Sequence, residues 1–371
     1  MRARVLLLPA ITAVVALVTA GCSGGSATSA PTAAGAASGS GTRGTIGIAM
    51  PTTTSPRWIS DSDNIQRQLN LLGYGVEVGF GENDVAKQVS QLEAMIAKGD
   101  KALVIGSIDG SKLTDVLAKA AAAKIPVIAY DRLIRGTPNI DYYATFDNRK
   151  VGVLEAQAIV DGLGLAAGRG PFTIELFAGS PDDNNAGFFF DGAMSVLRPY
   201  LKAGRLTVPS GQTAFAQVTT KAWDGKTAQD RMTKLLAGPD AGVRVDAVLS
   251  PYDGISRGIL AAFQGAGYGS GGKALPLVTG QDAELDSVKL IATGRQTETV
   301  YKDTRELAKV AVQMVDALLT DGVPAVNDTS QYDNGVKKVP TFLLQPIGVD
   351  KSNYRRVLVG GGYYTDAQVG A

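Results

Sequence analysis

The sequence contains no histidine and only one cysteine among its 371 residues. Without histidine, the chain cannot form the triads and dyads that use an imidazole base. A single cysteine excludes internal disulfides and zinc sites built from cysteine and histidine. The net charge is only +1, so no basic excess is present to bind nucleic acid. Carboxylates are the remaining common catalytic groups, and the sequence predicts no metal or cofactor.

The first 22 residues have the pattern of an export signal. Arg2 and Arg4 precede an apolar run at 5–18, and small residues then lead to Cys22. The run is shorter than the roughly 20 apolar residues that a membrane-spanning helix needs. Thr-Ala-Gly-Cys at 19–22 resembles the lipobox of bacterial lipoproteins, which predicts a signal peptide at 1–22, lipidation of Cys22 and a lipid anchor on the outer side of the cell membrane. A plain signal peptide with an incidental cysteine is the alternative.

A second N-terminal segment, at 23–43, consists almost entirely of Gly, Ser, Ala, Thr and Pro. Such a composition cannot bury a hydrophobic core and is typical of a flexible linker. We therefore expect this segment to connect the anchor to a folded body.

From residue 45 onward, short apolar strands alternate with amphipathic helices in two successive series. This alternation predicts an α/β protein of two lobes, each with a doubly wound parallel sheet. The predicted strands of the first series lie at 45–50, 76–80, 102–106, 126–130 and 142–146, and those of the second at 172–177, 206–208, 245–249, 275–278 and 297–301, followed by a late strand at 342–347. Ligands of such sheets bind at the carboxyl ends of the strands, so we expect a cleft where the two lobes face each other.

Polar and aromatic side chains recur just after these strands, and their chemistry suits a sugar. Carboxylates accept hydrogen bonds from hydroxyl groups, cations donate them, and an indole ring covers the C–H face of a pyranose. The three cations roughly balance Asp131, Asp183 and Asp282, which favours a neutral ligand, and a uronate becomes acceptable if one cation is left without a partner. The candidate residues are Arg57, Trp58, Asp131, Arg132, Asp183, Asn185, Trp223, Asp253, Asp282 and Lys302.

Several motifs in this order resemble those of the type I periplasmic sugar-binding proteins, the receptors of ABC-type sugar importers. They are Arg57-Trp58, the segments at 90–95, 129–132, 146–148, 179–185 and 280–283, and Tyr301-Lys302. The similarity is greatest to the xylose and multiple-monosaccharide receptors and spans residue 44 to the C-terminus. It implies the type I binding-protein fold, a monosaccharide ligand, permease subunits as partners, a monomeric state and no enzymatic activity.

The resemblance also implies roles for particular residues. In that family, the matching Arg-Trp, Asp-Arg and Asp-Asn positions contact the sugar, a later tryptophan stacks on its ring, and an aspartate and a lysine complete the site. The xylose type has Asn-Asp where this chain has Tyr252-Asp253, so Asp253 is a replacement candidate and the exact sugar stays open. Three crossings between lobes are implied near 146–147, 301–303 and 339–340, giving lobes of 44–146 plus 303–339 and 147–302 plus 340–371.

Each candidate residue also has a purely structural interpretation. Tryptophans are often core residues, adjacent Asp and Arg often form surface ion pairs, and Asp and Asn often cap helices. Two other functions also stay open at this point. Paired aspartates would suit an exported glycosidase, although cationic neighbours favour ionised carboxylates. A receptor that presents its closed form to a membrane sensor would have the same sequence features as a transport receptor.

Overall fold

The computed structural model describes residues 43–370. The predicted signal peptide, Cys22 and the linker up to residue 42 lie outside the described residues. Within the described part, no helix has both the length and the apolar character needed to cross a membrane.

Twelve strands and eleven helices follow one another along the described chain, with a short helical turn at Lys221–Trp223 and another at Arg355–Val359. The strands are β1 (Thr45–Met50), β2 (Gly75–Phe80), β3 (Leu103–Ile105), β4 (Val127–Tyr130), β5 (Tyr142–Phe146), β6 (Phe172–Leu176), β7 (Leu206–Thr207), β8 (Ala247–Leu249), β9 (Leu277–Val278), β10 (Glu298–Tyr301), β11 (Thr341–Leu344) and β12 (Ile347–Asp350). The helices are α1 (Pro56–Leu71), α2 (Val85–Lys98), α3 (Thr114–Ala122), α4 (Asn148–Leu163), α5 (Asn184–Lys202), α6 (Phe215–Val218), α7 (Gly225–Ala237), α8 (Asp253–Gly265), α9 (Leu285–Ala292), α10 (Thr304–Leu319) and α11 (Asp366–Val369).

The first sheet has six parallel strands in the order β11-β5-β4-β3-β1-β2. Helices α1 and α10 cover one face and α2 and α3 cover the other, and each face has its own buried apolar cluster. Helix α2 illustrates how local sequence sets these elements. The Asp84 carboxylate caps its N-terminus by accepting a hydrogen bond from the amide of Ala86, and Gly99 ends it with a left-handed backbone (φ 82°).

The second sheet has four parallel strands in the order β7-β6-β8-β9. Helices α4 and α5 pack on one face, and α7 and α8 pack on the other. A parallel bridge between Gln281 and Val300 brings β10 beside the segment that follows β9. The two sheets with helices on both faces confirm the predicted α/β class.

The C-terminal region differs from the prediction in three ways. The strand predicted at 342–347 is two strands, because Pro346 has no N–H to donate and interrupts the ladder. Strand β11 pairs with β5, so residues 341–344 belong to the first sheet and not to the lobe predicted from residue 340. Strand β12 pairs antiparallel with β10, so the second lobe is not wholly parallel. The remaining lobe boundaries stay predictions.

Helix α1 begins six residues after the end of β1. Its first residue is Pro56, whose fixed φ and missing N–H suit the first helical position. Arg57 and Trp58 therefore lie in the first turn of a helix rather than in a loop, which fixes the direction of both side chains.

Candidate functional site

A cavity lies where the carboxyl ends of the strands of both sheets meet, and the empty space there, counted together with its opening to solvent, is about 550 Å³. The first sheet contributes residues that follow β1, β2 and β4, the second contributes residues that follow β6, β7, β8 and β9, and one further residue follows β10. The lining residues are Thr52, Thr54, Ser55, Arg57, Trp58, Asn83, Asp131, Arg132, Asp183, Asn185, Phe189, Ala222, Trp223, Tyr252, Gln281, Asp282 and Lys302.

Nine of the ten residues predicted to contact a ligand line this one cavity. They come from segments up to 245 residues apart in sequence (57 to 302), and only the fold brings them together. The tenth, Asp253, does not line it.

Arg57 is the centre of a buried charge network. Its Nη2 atom lies 2.8 Å from Asp131 Oδ2, its Nε atom 3.2 Å from Asp61 Oδ2, and its Nη1 atom 3.4 Å from Asp282 Oδ1. Asp61 also accepts a hydrogen bond of 2.9 Å from the Tyr130 hydroxyl. Because Asp61 holds the guanidinium from behind, the remaining donors of Arg57 are directed toward the cavity.

Burial and charge act in opposite directions on this network. Burial alone would lower the pKa of Arg57, but the surrounding carboxylates outweigh it and the pKa lies above its ordinary value. Burial would raise the pKa of Asp131, yet Arg57 and Lys302 hold it below its ordinary value. For Asp61, burial prevails and raises the pKa to about 7. Asp131 is therefore a carboxylate at neutral pH and a hydrogen-bond acceptor.

Two further contacts join the sheets across the cavity. Arg132 Nε lies 2.9 Å from Asp183 Oδ2, as an ion pair rather than an aligned hydrogen bond, and burial raises the pKa of Asp183 although Arg132 partly offsets this. Asp183 also caps α5 by accepting from the amide of Asn185 at 2.9 Å. The side-chain Nδ2 of Asn185 donates to the backbone carbonyl of Asp131 at 2.8 Å. The Asn185 side chain therefore contributes both to the contact between the lobes and to the cavity wall.

Lys302 completes the charged set. Its Nζ atom lies 2.9 Å from Asp282 Oδ1, and its side chain is buried. Asp282 thus links two cations, Arg57 from the first lobe and Lys302 at the end of β10. Each of the three lining cations of the described chain contacts at least one carboxylate, and three carboxylates line the cavity beside them.

Aromatic rings form the other part of the wall. Trp223 packs edge-on against Phe189 and Tyr252, with ring centroids 6.2 and 6.1 Å apart. Its buried Nε1 atom has no hydrogen-bond partner among the described residues. Gly179 is required here, because a Cβ atom at that position would lie 1.9 Å from the Trp223 ring. Trp58 instead supports the charges, since the guanidinium groups of Arg57 and Arg132 lie 4.6 and 5.2 Å from its ring centroid.

Five lining residues have a left-handed backbone. The φ angles are 60° at Asn83, 61° at Asp131, 54° at Ala222, 57° at Trp223 and 89° at Asp282. Aspartate adopts this region more readily than most residues, whereas for a bulky tryptophan it is an outlier. Such conformations persist where the surrounding structure enforces them, and they concentrate at functional sites.

The placement of Asp253 corrects the expectation from sequence. Its side chain is fully buried and accepts hydrogen bonds from the Glu284 amide (2.8 Å), Gln296 Nε2 (2.9 Å) and the Thr299 hydroxyl (3.1 Å). These donors occupy its oxygens, so Asp253 stabilises the loop that carries Asp282 and does not face the cavity. The sequence gives no signal for this placement, because all three donors lie more than 30 positions from Asp253 in the chain.

Several residues at the cavity were not among the sequence candidates. Asn83, Phe189, Tyr252 and Gln281 line it, and Asp61 lies behind it. Only Asp61 had a usable signal, since it follows Arg57 by four residues and would share a helix face with it.

Within residues 43–370, no group of three or more carboxylates is arranged to hold a metal ion.

Comparisons with known proteins agree with this geometry. The family model described as a periplasmic binding protein domain matches residues 46–322. A multiple sugar-binding periplasmic receptor of Rhizobium radiobacter is 60% identical over 325 residues, covering 88% of this chain and 92% of that protein. The D-xylose-binding periplasmic protein of Escherichia coli is 35% identical over 324 residues, covering 87% and 92% respectively.

A solved structure agrees as well. An ABC transporter solute-binding protein from Clostridium phytofermentans with bound β-D-glucose has a TM-score of 0.84 and 45% sequence identity, and the alignment covers 88% of this chain and 99% of that one. The proteins to which this chain is similar are receptors and not enzymes, which confirms the prediction of a binding protein and excludes the glycosidase. The chain belongs to the type I periplasmic sugar-binding proteins.

Proposed function

We propose that this protein captures neutral aldoses in the cavity between its two lobes and delivers them to the permease of an ABC importer. The observation that carries the proposal is the composition of the cavity, which combines paired charges from both lobes with aromatic rings at the ends of the two sheets. The bound glucose of the Clostridium phytofermentans structure supports the choice of aldoses as ligands.

The charged residues are suited to hydroxyl groups. Asp131, Asp183 and Asp282 would accept hydrogen bonds from the sugar, and Arg57, Arg132 and Lys302 would donate them. Charge-assisted hydrogen bonds are roughly twice as strong as neutral ones, which offsets the cost of removing water from the hydroxyl groups. Trp223 would cover the C–H face of the ring, and its unpartnered N–H is free to donate to a ligand oxygen.

Isothermal calorimetry of the mature protein tests this proposal. D-glucose, D-galactose, D-xylose and L-arabinose should each be tried at neutral pH, and we expect at least one to bind with one-to-one stoichiometry. Absence of binding by every neutral aldose would reject the proposed function.

The pairing of charges also concerns uronates. Because each lining cation of the described residues already contacts a carboxylate, a uronate would add an uncompensated negative charge. We infer that D-glucuronate and D-galacturonate bind more weakly than D-glucose and D-galactose. The same calorimetric experiment measures the ratio, and tighter binding of either uronate would contradict the inference.

We also propose that the receptor is exported and anchored through a lipid on Cys22, so that the folded body stands outside the cell membrane. The proposal depends on the lipobox-like sequence and on the export of periplasmic relatives. Expression of the full chain in a bacterial host, followed by membrane fractionation, tests it. The Cys22→Ser variant should move to the soluble fraction, and an unchanged distribution would contradict the anchor.

A further inference from the structure

One hydrogen bond joins the lobes at the rim of the cavity without using any residue of the charge network. Ser55, just before α1 of the first lobe, donates from Oγ to Glu284 Oε1 of the second lobe at 3.2 Å. Ser55 lines the cavity, whereas Glu284 lies behind the rim and is buried. The two residues are 229 positions apart in sequence. Because they belong to different lobes, the bond forms only when the lobes are together.

Because Ser55 is at the N-terminus of α1, this bond places a carboxylate at the positive end of that helix. Ser55 is the N-cap residue of α1, yet its side chain makes no capping hydrogen bond to its own helix, and the first turn carries no acidic residue. A 16-residue helix has a partial positive charge at this end, which a nearby carboxylate stabilises. Glu284 supplies that carboxylate from the opposite lobe.

Glu284 is held in place by its own lobe. The Tyr252 hydroxyl donates to Oε1 at 2.6 Å, and Arg257 Nη2 contacts Oε2 at 2.5 Å. Its backbone amide is fixed as well, because it donates to Asp253 Oδ2. The carboxylate therefore meets α1 in one orientation, with little side-chain entropy left to lose when the lobes come together.

We propose that Glu284 is a latch that binds the N-cap residue of α1 across the cleft and sets the rate at which the sugar leaves. The inference rests on the proposed function, since it assigns the latch to the same cleft. It separates two roles: Arg57, Asp131 and the aromatic rings hold the ligand, and Ser55 with Glu284 holds the lobes. Removing the latch should therefore raise the dissociation rate constant and leave the association rate constant nearly unchanged.

Stopped-flow tryptophan fluorescence with the sugar that binds most tightly in calorimetry tests the latch. We expect Ser55→Ala to raise the dissociation rate constant roughly 3- to 10-fold, as for the loss of one hydrogen bond of ordinary strength. Glu284→Gln should raise it by a similar or larger factor. Because both substitutions act on the same contact, Ser55→Ala by removing the donor and Glu284→Gln by removing the charge of the acceptor, the double variant should exceed Glu284→Gln by less than about twofold. Ser60→Ala, on the exposed face of the same helix, is the matched control and should dissociate at the wild-type rate.

Two results would overturn the latch or the proposed function separately. If wild type binds sugar and Ser55→Ala dissociates at the wild-type rate, the latch is wrong while the proposed function stands. If wild type binds no aldose, the proposed function fails, and small-angle X-ray scattering of the sugar-free proteins decides the latch. A larger radius of gyration for Ser55→Ala would support it, and equal radii would reject it. Ser55→Ala carries this test even if Glu284→Gln folds poorly.

Discussion

The two walls of the cavity are built on different physical principles. The wall from the first lobe is a network of buried ions, in which Arg57 contacts three carboxylates and Asp61 receives a second donor from Tyr130. The wall from the second lobe adds an aromatic cluster, with Trp223 held between Phe189 and Tyr252, to the charged side chains that this lobe contributes. Ions have strict geometric requirements, whereas rings tolerate small displacements of what they cover. We therefore expect the charged side chains to select hydroxyl patterns and the aromatic rings of the second wall to supply contact area.

The largest effect should come from the charged wall. Asp131→Asn keeps the volume and tolerates the left-handed backbone, but it removes the charge that faces Arg57. We expect a loss of about 1.5–3 kcal/mol in sugar binding, which is roughly 10- to 150-fold in Kd. Asp131→Ala should lose at least as much. Calorimetry measures both, with the exposed Asp115→Asn of the same lobe as control. An unchanged Kd for Asp131→Asn would remove this residue from the site.

The aromatic wall should give a smaller and less selective effect. Trp223→Ala removes the ring, and we expect a loss of about 1–2 kcal/mol that is similar for glucose and xylose. Trp223→Phe keeps most of the ring area and removes the N–H. The loss of affinity in Trp223→Phe therefore reports mainly the hydrogen bond, and the further loss in Trp223→Ala reports the contact area. Gly179→Ala should resemble Trp223→Ala, because the added methyl group displaces the ring. Calorimetry with both sugars measures these ratios, and a strongly sugar-dependent loss would contradict the comparison.

Asp253 marks the boundary of the second wall. Its carboxylate accepts from three protein donors behind the cavity, so Asp253→Ala leaves those buried donors unpaired. We expect a marked fall in melting temperature, with the Kd of the protein that remains folded changing less than for Asp131→Asn. Thermal denaturation and calorimetry on the same samples measure the two effects. A large loss of affinity at unchanged melting temperature would contradict this placement and show that Asp253 contacts the ligand.

The smallest effect is one on stability, and it concerns Asp61, which lies behind the first wall and contacts Arg57. Burial raises the pKa of Asp61 to about 7, above its ordinary value of 3.8. As the pH falls through about 7, the folded protein binds a proton at Asp61 that the unfolded chain does not bind until about pH 4, so this group stabilises the fold increasingly toward acid. In Asp61→Asn this contribution is absent. The melting temperature of wild type minus that of Asp61→Asn should therefore increase from pH 8 to pH 5. A difference that is constant with pH would contradict the raised pKa.

Much of the fold follows from patterns within short segments. The alternation of apolar strands with amphipathic helices is local, and it predicted β1 to β10 with end shifts of at most two residues. The errors arose where local pattern was insufficient. The apolar run at 342–347 reads as one strand, but its two halves pair with partners about 200 and 50 residues away, on different sheets.

The sequence by itself determined the chemistry of the site: which strands end in carboxylates, cations and tryptophans, and that these balance in charge. Only the tertiary structure decided which of those side chains share the cavity. Asp253 and Asp282 look alike in sequence, yet one is occupied by three buried donors and the other faces Arg57 and Lys302. The reason is that hydrogen-bond partners of a buried carboxylate come from segments distant in the chain, and no local pattern records which of them fold against it.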